Sequence, residues 1–183
     1  MTGYIILIII ALLIIAVIGI YNSLVGKRNK VKNSWAQIDV QLKRRFDLIP
    51  NLVNTVKGYA AHEKETLEKV IEARNRFASA ATPKQAMEAN QELTQVLSRL
   101  AVVVEQYPDL KANTNFIELQ KELSDTENKI SFSRQFYNDV VMDYNNAIQV
   151  FPSNIIAGMF GFTQQPFFSA EENEKNNVEV KFD

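Results

Sequence analysis

The chain opens with a long apolar run and continues with stretches in which apolar residues recur every three or four positions. From Tyr4 to Ile20 every residue is Tyr, Ile, Leu, Ala, Val or Gly, and no charged side chain precedes Lys27. A helix rises about 1.5 Å per residue, so this run, continued to Val25, can cross a hydrocarbon core about 30 Å thick. We therefore predict a transmembrane anchor within residues 1–26.

The apolar stripes that follow predict further helices, and proline residues suggest where these helices begin and end. A first stripe ends before Pro50, which predicts a break or kink because proline disfavours helix at the preceding residue. A second helix runs to near Ala81, and a third starts at Thr82 with a capping-box pattern. A fourth, long helix is predicted from near Asn115 to just before Pro152. The first stripe comprises Val31, Trp35, Ile38, Leu42, Phe46 and Ile49.

Four amphipathic helices with short connections predict an all-α fold, in which a single N-terminal transmembrane helix precedes an antiparallel up-and-down four-helix bundle. The bundle is predicted over residues 27–151, and the anchor can continue into it because Gly26 is only a weak breaker. Residues 152–168 form an apolar segment that we expect near the membrane, and residues 169–183 form an acidic tail. In this tail Val178, Val180 and Phe182 alternate with charged residues, which suits either a strand added to a partner's sheet or a disordered end.

Charge and composition narrow the classes of function. With Lys+Arg 20 and Asp+Glu 21, the chain has no excess of positive charge that would indicate nucleic-acid binding. It has no cysteine, so disulfides, thiolate metal sites and cysteine nucleophiles are excluded. A cleaved signal peptide would need a basic region before a shorter apolar run, so we expect the anchor to be retained. The basic residues come after it, which predicts an outside N-terminus and a cytoplasmic domain at the cell (inner) membrane.

The enzyme-like combinations in the sequence are incomplete. His62-Glu63 resembles half of a zinc-protease motif, but position 66 is threonine and the chain has a single histidine. The carboxylate pairs Glu118/Glu122 and Glu171/Glu172 have the spacing of a solvated helix face or lie in the polar tail. We therefore predict no catalytic residue, no metal site, no cofactor and no small-molecule substrate.

The basic run at Lys43, Arg44 and Arg45, followed by Asp47, has two interpretations. One is a solvated face near a bend, with Arg44 or Arg45 paired to Asp47 or Asp39. The other is a contact surface for a partner, or an ion pair between subunits. A lipid site is less favoured here, because these residues lie about 25–30 Å beyond the membrane if the helix is continuous.

A second set of residues is predicted to contact the membrane interface. Lys27, Arg28 and Lys30 follow the anchor at the level of anionic headgroups. The apolar segment after Phe151 would return to the bilayer if the fourth helix runs back toward it. It could instead seal the membrane-proximal end of the bundle or contact another copy. Its candidate interface residues are Ile155, Ile156, Met159, Phe160 and Phe162.

Several motifs along the chain resemble the signature of the LemA family. They include Trp35-Ala-Gln-Ile-Asp-Val-Gln-Leu-Lys-Arg-Arg45, Asp47-Leu-Ile-Pro-Asn-Leu-Val53, Glu105-Gln-Tyr-Pro-Asp-Leu-Lys-Ala-Asn113, Glu127-Asn-Lys-Ile130, Arg134-Gln-Phe-Tyr-Asn138 and Phe151-Pro-Ser-Asn-Ile-Ile-Ala157. The sequence departs from this pattern at Phe46, where relatives more often carry a polar or imidazole residue. The resemblance implies a bacterial single-pass membrane protein with a four-helix-bundle domain and no defined enzymatic activity. It also implies a link to membrane-organelle organisation or to neighbouring membrane proteases.

Two functions are compatible with these features. The first is a membrane-anchored, non-enzymatic helical scaffold or adaptor that acts through protein–protein contacts at the cytoplasmic membrane face. Such a protein would contact the lipid bilayer, form a homo-oligomer and bind a possible membrane protein partner. The alternative is an accessory subunit that modulates a membrane enzyme such as a metalloprotease or a signalling protein.

Overall fold

The computed structural model describes residues 1–168, and every regular element within this range is helical. In chain order the helices are α1 (Thr2–Lys57), α2 (Lys64–Ala78), α3 (Pro83–Val104), α4 (Pro108–Lys111), α5 (Thr114–Ala147) and α6 (Ser153–Met159). The prediction of an all-helical chain is thus confirmed for the described residues. The acidic tail at 169–183, with its alternating Val178, Val180 and Phe182, lies outside them.

Helix α1 continues through both Gly26 and Pro50. The prediction that the apolar run continues into the next helix is confirmed. Of the break or kink predicted at Pro50, the break is wrong, because the helix continues through this residue. A proline inside a helix removes one backbone donor and costs about 3 kcal/mol. The apolar side chains before and after it, Ile49 and Leu52, are both buried, and their packing offsets that cost. The chain leaves α1 only after Lys57.

The N-terminal part of α1 has the length and composition of a membrane span. Its most apolar window has a mean hydropathy of 3.2, and no residue of that window is buried. Among residues 1–168 no other helix meets the same criteria of length and apolarity. The exposed apolar surface extends to Ile18, and Leu24 is the first fully buried side chain of α1. The helix is therefore compatible with a single-pass membrane protein.

Contacts divide the chain into two compact units, and each unit joins segments that are distant in sequence. Unit 1 comprises residues 1–37 and 133–167, so it contains the first part of α1, the end of α5 and all of α6. Unit 2 comprises residues 38–132 and, among the described residues that follow, Phe168. It contains the end of α1, helices α2 to α4 and the start of α5.

Local sequence signals set the helix starts in unit 2. The Gln85 backbone N–H donates to the Thr82 hydroxyl at 3.3 Å, and the Gln85 side chain accepts from the Thr82 N–H at 3.2 Å. This is the capping box predicted at the start of α3, and it is confirmed. At the start of α5 the Asn113 side chain accepts from the Phe116 N–H at 3.0 Å. These contacts satisfy backbone donors that have no partner within the helix.

Unit 1 is built on contacts between α1 and the end of α5. The rings of Trp35 and Tyr137 meet edge to face with their centroids 6.0 Å apart. Nearer the apolar run, Lys27 forms an ion pair with Asp143 at 2.6 Å. Buried apolar side chains from both helices lie in this unit, among them Leu24, Val31, Val140, Val141 and Tyr144.

Candidate functional site

The basic run on α1 divides into one buried and two exposed side chains. Arg45 is only 3% exposed, whereas Lys43 and Arg44 lie on the surface. Lys43 pairs with Asp39 at 2.6 Å, one helical turn earlier, and Asp47 is exposed. The interpretation of Arg45 as part of a solvated or partner-contacting face is therefore wrong in this structure, because its helix turns it into unit 2. For Lys43, Arg44 and Asp47 the partner-contact surface stays a prediction.

Arg45 joins three helices of unit 2 through one guanidinium group. It donates to the side-chain oxygen of the buried Asn90 and, at 3.1 Å, to the hydroxyl of Thr94, both on α3. It also forms an ion pair with Glu127 of α5. Two of these residues, Arg45 and Glu127, stand in motifs that resemble the LemA signature. A buried arginine needs such charge and hydrogen-bond partners, so the cluster gives Arg45 and Glu127 a structural role.

Phe46, the position that departs from the family pattern, has a distinct environment. Its ring stacks on that of Phe77 of α2, with centroids 4.0 Å apart and planes inclined by 3°. Phe46 is buried and Phe77 is half-buried. The aromatic partner on α2 explains why an aromatic ring fits at this position.

The His62-Glu63 pair lies in the connection between α1 and α2. His62 is exposed, and Glu63 accepts a hydrogen bond at 3.0 Å from the hydroxyl of Tyr107. This bond is the main cause of a raised pKa of the Tyr107 phenol, and partial burial raises it further. In the neighbouring contact the Asn113 amide donates to the Tyr59 hydroxyl at 2.9 Å. These bonds tie the α1–α2 connection to the chain around α4, which is a structural role.

Unit 2 also contains clefts in its surface. An apolar cleft of about 240 Å³ is lined by Leu52, Leu97, Leu100, Ala101, Phe116, Gln120 and Leu123. A more polar cleft of about 470 Å³ includes the predicted carboxylate pair Glu118 and Glu122 beside Asn51 and Asn54. No cluster of three or more histidine, cysteine, aspartate or glutamate side chains with metal-binding geometry occurs within residues 1–168.

The predicted membrane-interface residues after Phe151 divide into an inward and an outward group. Ile156 and Phe162 are buried, so their assignment to the membrane interface is wrong in this structure. They fill the interior of unit 1, as in the alternative in which this segment seals one end of the domain. Ile155, Met159 and Phe160 are exposed, and for them the interface stays a prediction.

Aromatic contacts place this segment beside the end of the apolar part of α1. The Tyr21 ring lies 4.8 Å from the Phe160 ring and 5.8 Å from the Phe162 ring, measured between centroids. The guanidinium of Arg28 lies over the Phe162 ring at 4.9 Å, a cation–π contact. Lys27 is paired with Asp143, and Lys30 is exposed.

The chain after α6 is held along α5 by side-chain hydrogen bonds. Tyr144 and Tyr137 donate their hydroxyls, each at 3.0 Å, to the backbone carbonyls of Thr163 and Pro166. Between them the Asn145 amide donates to the Gln165 carbonyl and accepts from the Gln165 N–H, both at 2.9 Å. We call residues 162–168 the strap. Asn145 pairs with both backbone groups of Gln165 in the strap, as the backbone of a neighbouring β-strand would.

Burial raises the pKa of both strap tyrosines. For Tyr137 loss of hydration is the cause, because the charged phenolate is disfavoured away from water. For Tyr144 the same effect dominates, and the nearby Arg28 partly opposes it. Both phenols thus remain neutral donors through the ordinary range of pH. The sequence did not reveal these hydrogen bonds, because the carbonyls lie about twenty to thirty residues after the tyrosines, in a stretch with no periodic pattern.

Comparisons with known proteins identify a family and several relatives of similar sequence. The sequence model of the LemA family matches residues 34–182. Protein LemA from Metamycoplasma hominis is 27% identical over 164 residues, which cover 89% of this chain and 75% of that protein. Magnetosome protein MamQ 2 from Paramagnetospirillum magneticum is 24% identical, and the match covers 81% of this chain and 64% of that protein. Magnetosome protein MamQ from Magnetospirillum gryphiswaldense is likewise 24% identical with the same coverage.

The family match covers the motifs that the structure brings together, from Arg45 and Glu127 in unit 2 to Tyr137 and Asn145 in unit 1. It extends over most of the chain and begins at Ser34, after the apolar run. Together with the matching relatives, it shows that this protein belongs to the LemA family.

Proposed function

We propose that this protein is a membrane-anchored, non-enzymatic helical scaffold or adaptor that acts through protein–protein contacts at the cytoplasmic face of the membrane. The observation that carries the proposal is the continuity of α1. The same helix supplies an exposed apolar run of spanning length and then the residues around which both units are built. The magnetosome names of the MamQ relatives support a membrane-associated role.

The proposed orientation rests on the position of basic residues. Lys27, Arg28, Lys30 and Lys32 follow the apolar run, and no basic side chain precedes it. Basic flanks favour the cytoplasmic side, so units 1 and 2 face the cytoplasm and the N-terminus lies outside.

We further propose that the domain is an up-and-down four-helix bundle of α1, α2, α3 and α5. Supporting this, Arg45 of α1 bonds α3 and α5, and its neighbour Phe46 stacks on α2. Neighbouring helices α2 and α3 also pack on each other. The buried charge of Arg45 serves internal pairing, whereas Lys43, which pairs with Asp39, and Arg44 are exposed and form the proposed partner surface.

A photo-crosslinking amino acid at Arg44 of the full-length protein, combined with the particle mass in mild detergent, tests the proposal. Lys121, another exposed basic position in unit 2, provides the matched control site. A scaffold should give a defined oligomer and crosslinks from Arg44 that exceed those from Lys121. A monomeric mass with an Arg44 crosslink to a different membrane protein would favour the accessory-subunit alternative. A monomer with equal, weak crosslinking at both sites would contradict the contact surface.

A further inference from the structure

We propose that this protein has a second membrane contact, the α6 surface, which consists of Ile155, Met159 and Phe160 and lies in the lipid interface. The inference rests on the proposed anchor, because it uses the apolar part of α1 to define the position of the bilayer. It adds a lipid-binding surface to a part of the chain about 130 residues away from that anchor in sequence.

The depth of this surface follows from the contact between Tyr21 and Phe160. Tyr21 lies three residues, or about 4.5 Å, beyond Ile18, where the exposed apolar run ends. Tyrosine at this level is typical of the membrane–water boundary. The Phe160 ring centroid lies 4.8 Å from that of Tyr21, so Phe160 is at the same boundary.

Helix α6 has apolar residues on two sides, and unit 1 uses only one of them. Ile156 and Ala157 face inward and are buried. Ile155 and Met159, four residues apart on the same face, are 52% and 72% exposed, and Phe160 is 52% exposed. The sequence of α6, Ser153–Met159, contains no charged residue that would resist insertion between headgroups.

A lipid surface suits this patch better than a second copy of the chain, for two reasons. First, through Tyr21 the patch is continuous with the exposed apolar surface of α1, so both surfaces contact the apolar part of the same bilayer. Second, Lys30 and Lys32 are exposed a few residues beyond Tyr21, where they can meet anionic headgroups. A shallow apolar patch beside lysines is the usual composition of an interfacial helix.

Tryptophan reporters in the full-length protein test this placement. Trp35, the single native tryptophan, is first replaced by phenylalanine, and Phe160→Trp is introduced in that background. The matched control is Phe136→Trp, at a phenylalanine that is 45% exposed in the same unit. Phe136 neighbours Tyr137, which contacts Trp35, and Trp35 lies about 21 Å along α1 from Tyr21. Each protein is reconstituted in anionic vesicles whose lipids are brominated at shallow acyl positions.

The expected result is that Phe160→Trp loses most of its emission to the brominated lipids and shifts to the blue, while Phe136→Trp does neither. Equal quenching of the two reporters would overturn the proposal. A blue-shifted but unquenched Phe160→Trp would also overturn it, because a protein surface would then cover this site.

A third reporter separates this inference from the proposed anchor. Ile10→Trp lies in the exposed apolar run and should be quenched whenever α1 is inserted. If Ile10→Trp is quenched and Phe160→Trp is not, the α6 contact is wrong and the anchor stands. If Ile10→Trp is also unquenched, the anchor fails and the α6 contact fails with it.

Discussion

Arg45 of α1 and Glu127 of α5 form an ion pair whose two ends differ in their access to water. The side chain of Arg45 is 4% exposed and that of Glu127 is 37% exposed. The Glu127 oxygen that faces Arg45 is buried, but the Glu127 side chain as a whole keeps contact with water, whereas the Arg45 guanidinium depends on protein groups to stabilise its charge. The amide of Asn90 and the hydroxyl of Thr94 supply further acceptors on the buried side.

Replacing Arg45 with methionine should destabilise the protein. Arg45→Met retains the apolar stem but removes the donor to the buried Asn90 side chain. Leaving such an acceptor unsatisfied should lower the free energy of unfolding by about 1–3 kcal/mol. Urea unfolding in detergent, followed by circular dichroism, measures the change.

Lys43→Met is the matched control, because Lys43 forms an exposed pair with Asp39 one turn away. It should cost less than about 0.5 kcal/mol. The double variant Arg45→Met/Asn90→Leu should be more stable than Arg45→Met, since it removes the unsatisfied amide. Equal losses for Lys43→Met and Arg45→Met would contradict the buried role of Arg45.

The stack between Phe46 and Phe77 predicts a measurable coupling energy. Single Phe→Leu substitutions at each position and the double substitution form a cycle in the free energy of unfolding. The coupling between the rings should be about 0.5–1.5 kcal/mol, as for other packed aromatic pairs. Phe132→Leu, at a 75% exposed phenylalanine, should change the stability by less than about 0.5 kcal/mol. Additive effects of Phe46→Leu and Phe77→Leu would show that the stack contributes only burial.

The strap along α5 should open when Asn145 is replaced by alanine. This variant removes both hydrogen bonds to Gln165, each worth about 0.5–1.5 kcal/mol. Hydrogen exchange of the Gln165 amide should then accelerate by about 5- to 150-fold. The amide of Phe116, which donates to Asn113 in unit 2, is the internal reference. Acceleration at both amides would indicate global destabilisation instead of local opening.

Alkaline pH should weaken the fold through Tyr137 and Tyr144. Burial raises the pKa of each phenol in the folded state above its ordinary value of 10.0. The unfolded chain therefore loses these protons first, so the stabilisation is complete below about pH 10 and is lost as pH rises through the folded-state pKa. Unfolding free energies measured across this range should fall at the alkaline end. The double variant Tyr137→Phe/Tyr144→Phe should show a shallower fall, and an unchanged slope would contradict this assignment.

Features that depend on neighbouring residues were predictable from the sequence. Thr82 and Gln85 meet across one helical turn, so their spacing alone identifies the start of α3. The apolar run likewise needs no tertiary partner to indicate a spanning helix. The predicted break at Pro50 was wrong because the tendency of proline to end a helix was outweighed by the packing of buried residues on both sides of it. Only the fold reveals this packing.

The parts of the candidate sites that could not be predicted depend on distant residues. Arg45 differs from Arg44 only in helical phase, and its partners Asn90 and Glu127 stand on other helices. The backbone groups of the strap are bound by single side chains of α5, and this kind of contact does not require a repeating pattern of apolar residues in the strap sequence. Similarly, Ile155 and Ile156 are adjacent and chemically identical, yet one is exposed and the other buried.

The discontinuity of unit 1 has a consequence for synthesis on the ribosome. Residues 1–37 are made first, but their packing partners begin at Ser133. At about 5–20 residues per second, translation of the roughly 100 intervening residues takes about 5–20 seconds. During this interval Leu24, Val31 and Trp35 have no native neighbours from α5 to cover them. Any nascent chain that terminates before Ser133 therefore keeps this apolar face uncovered, so only a chain extended beyond that residue can complete unit 1.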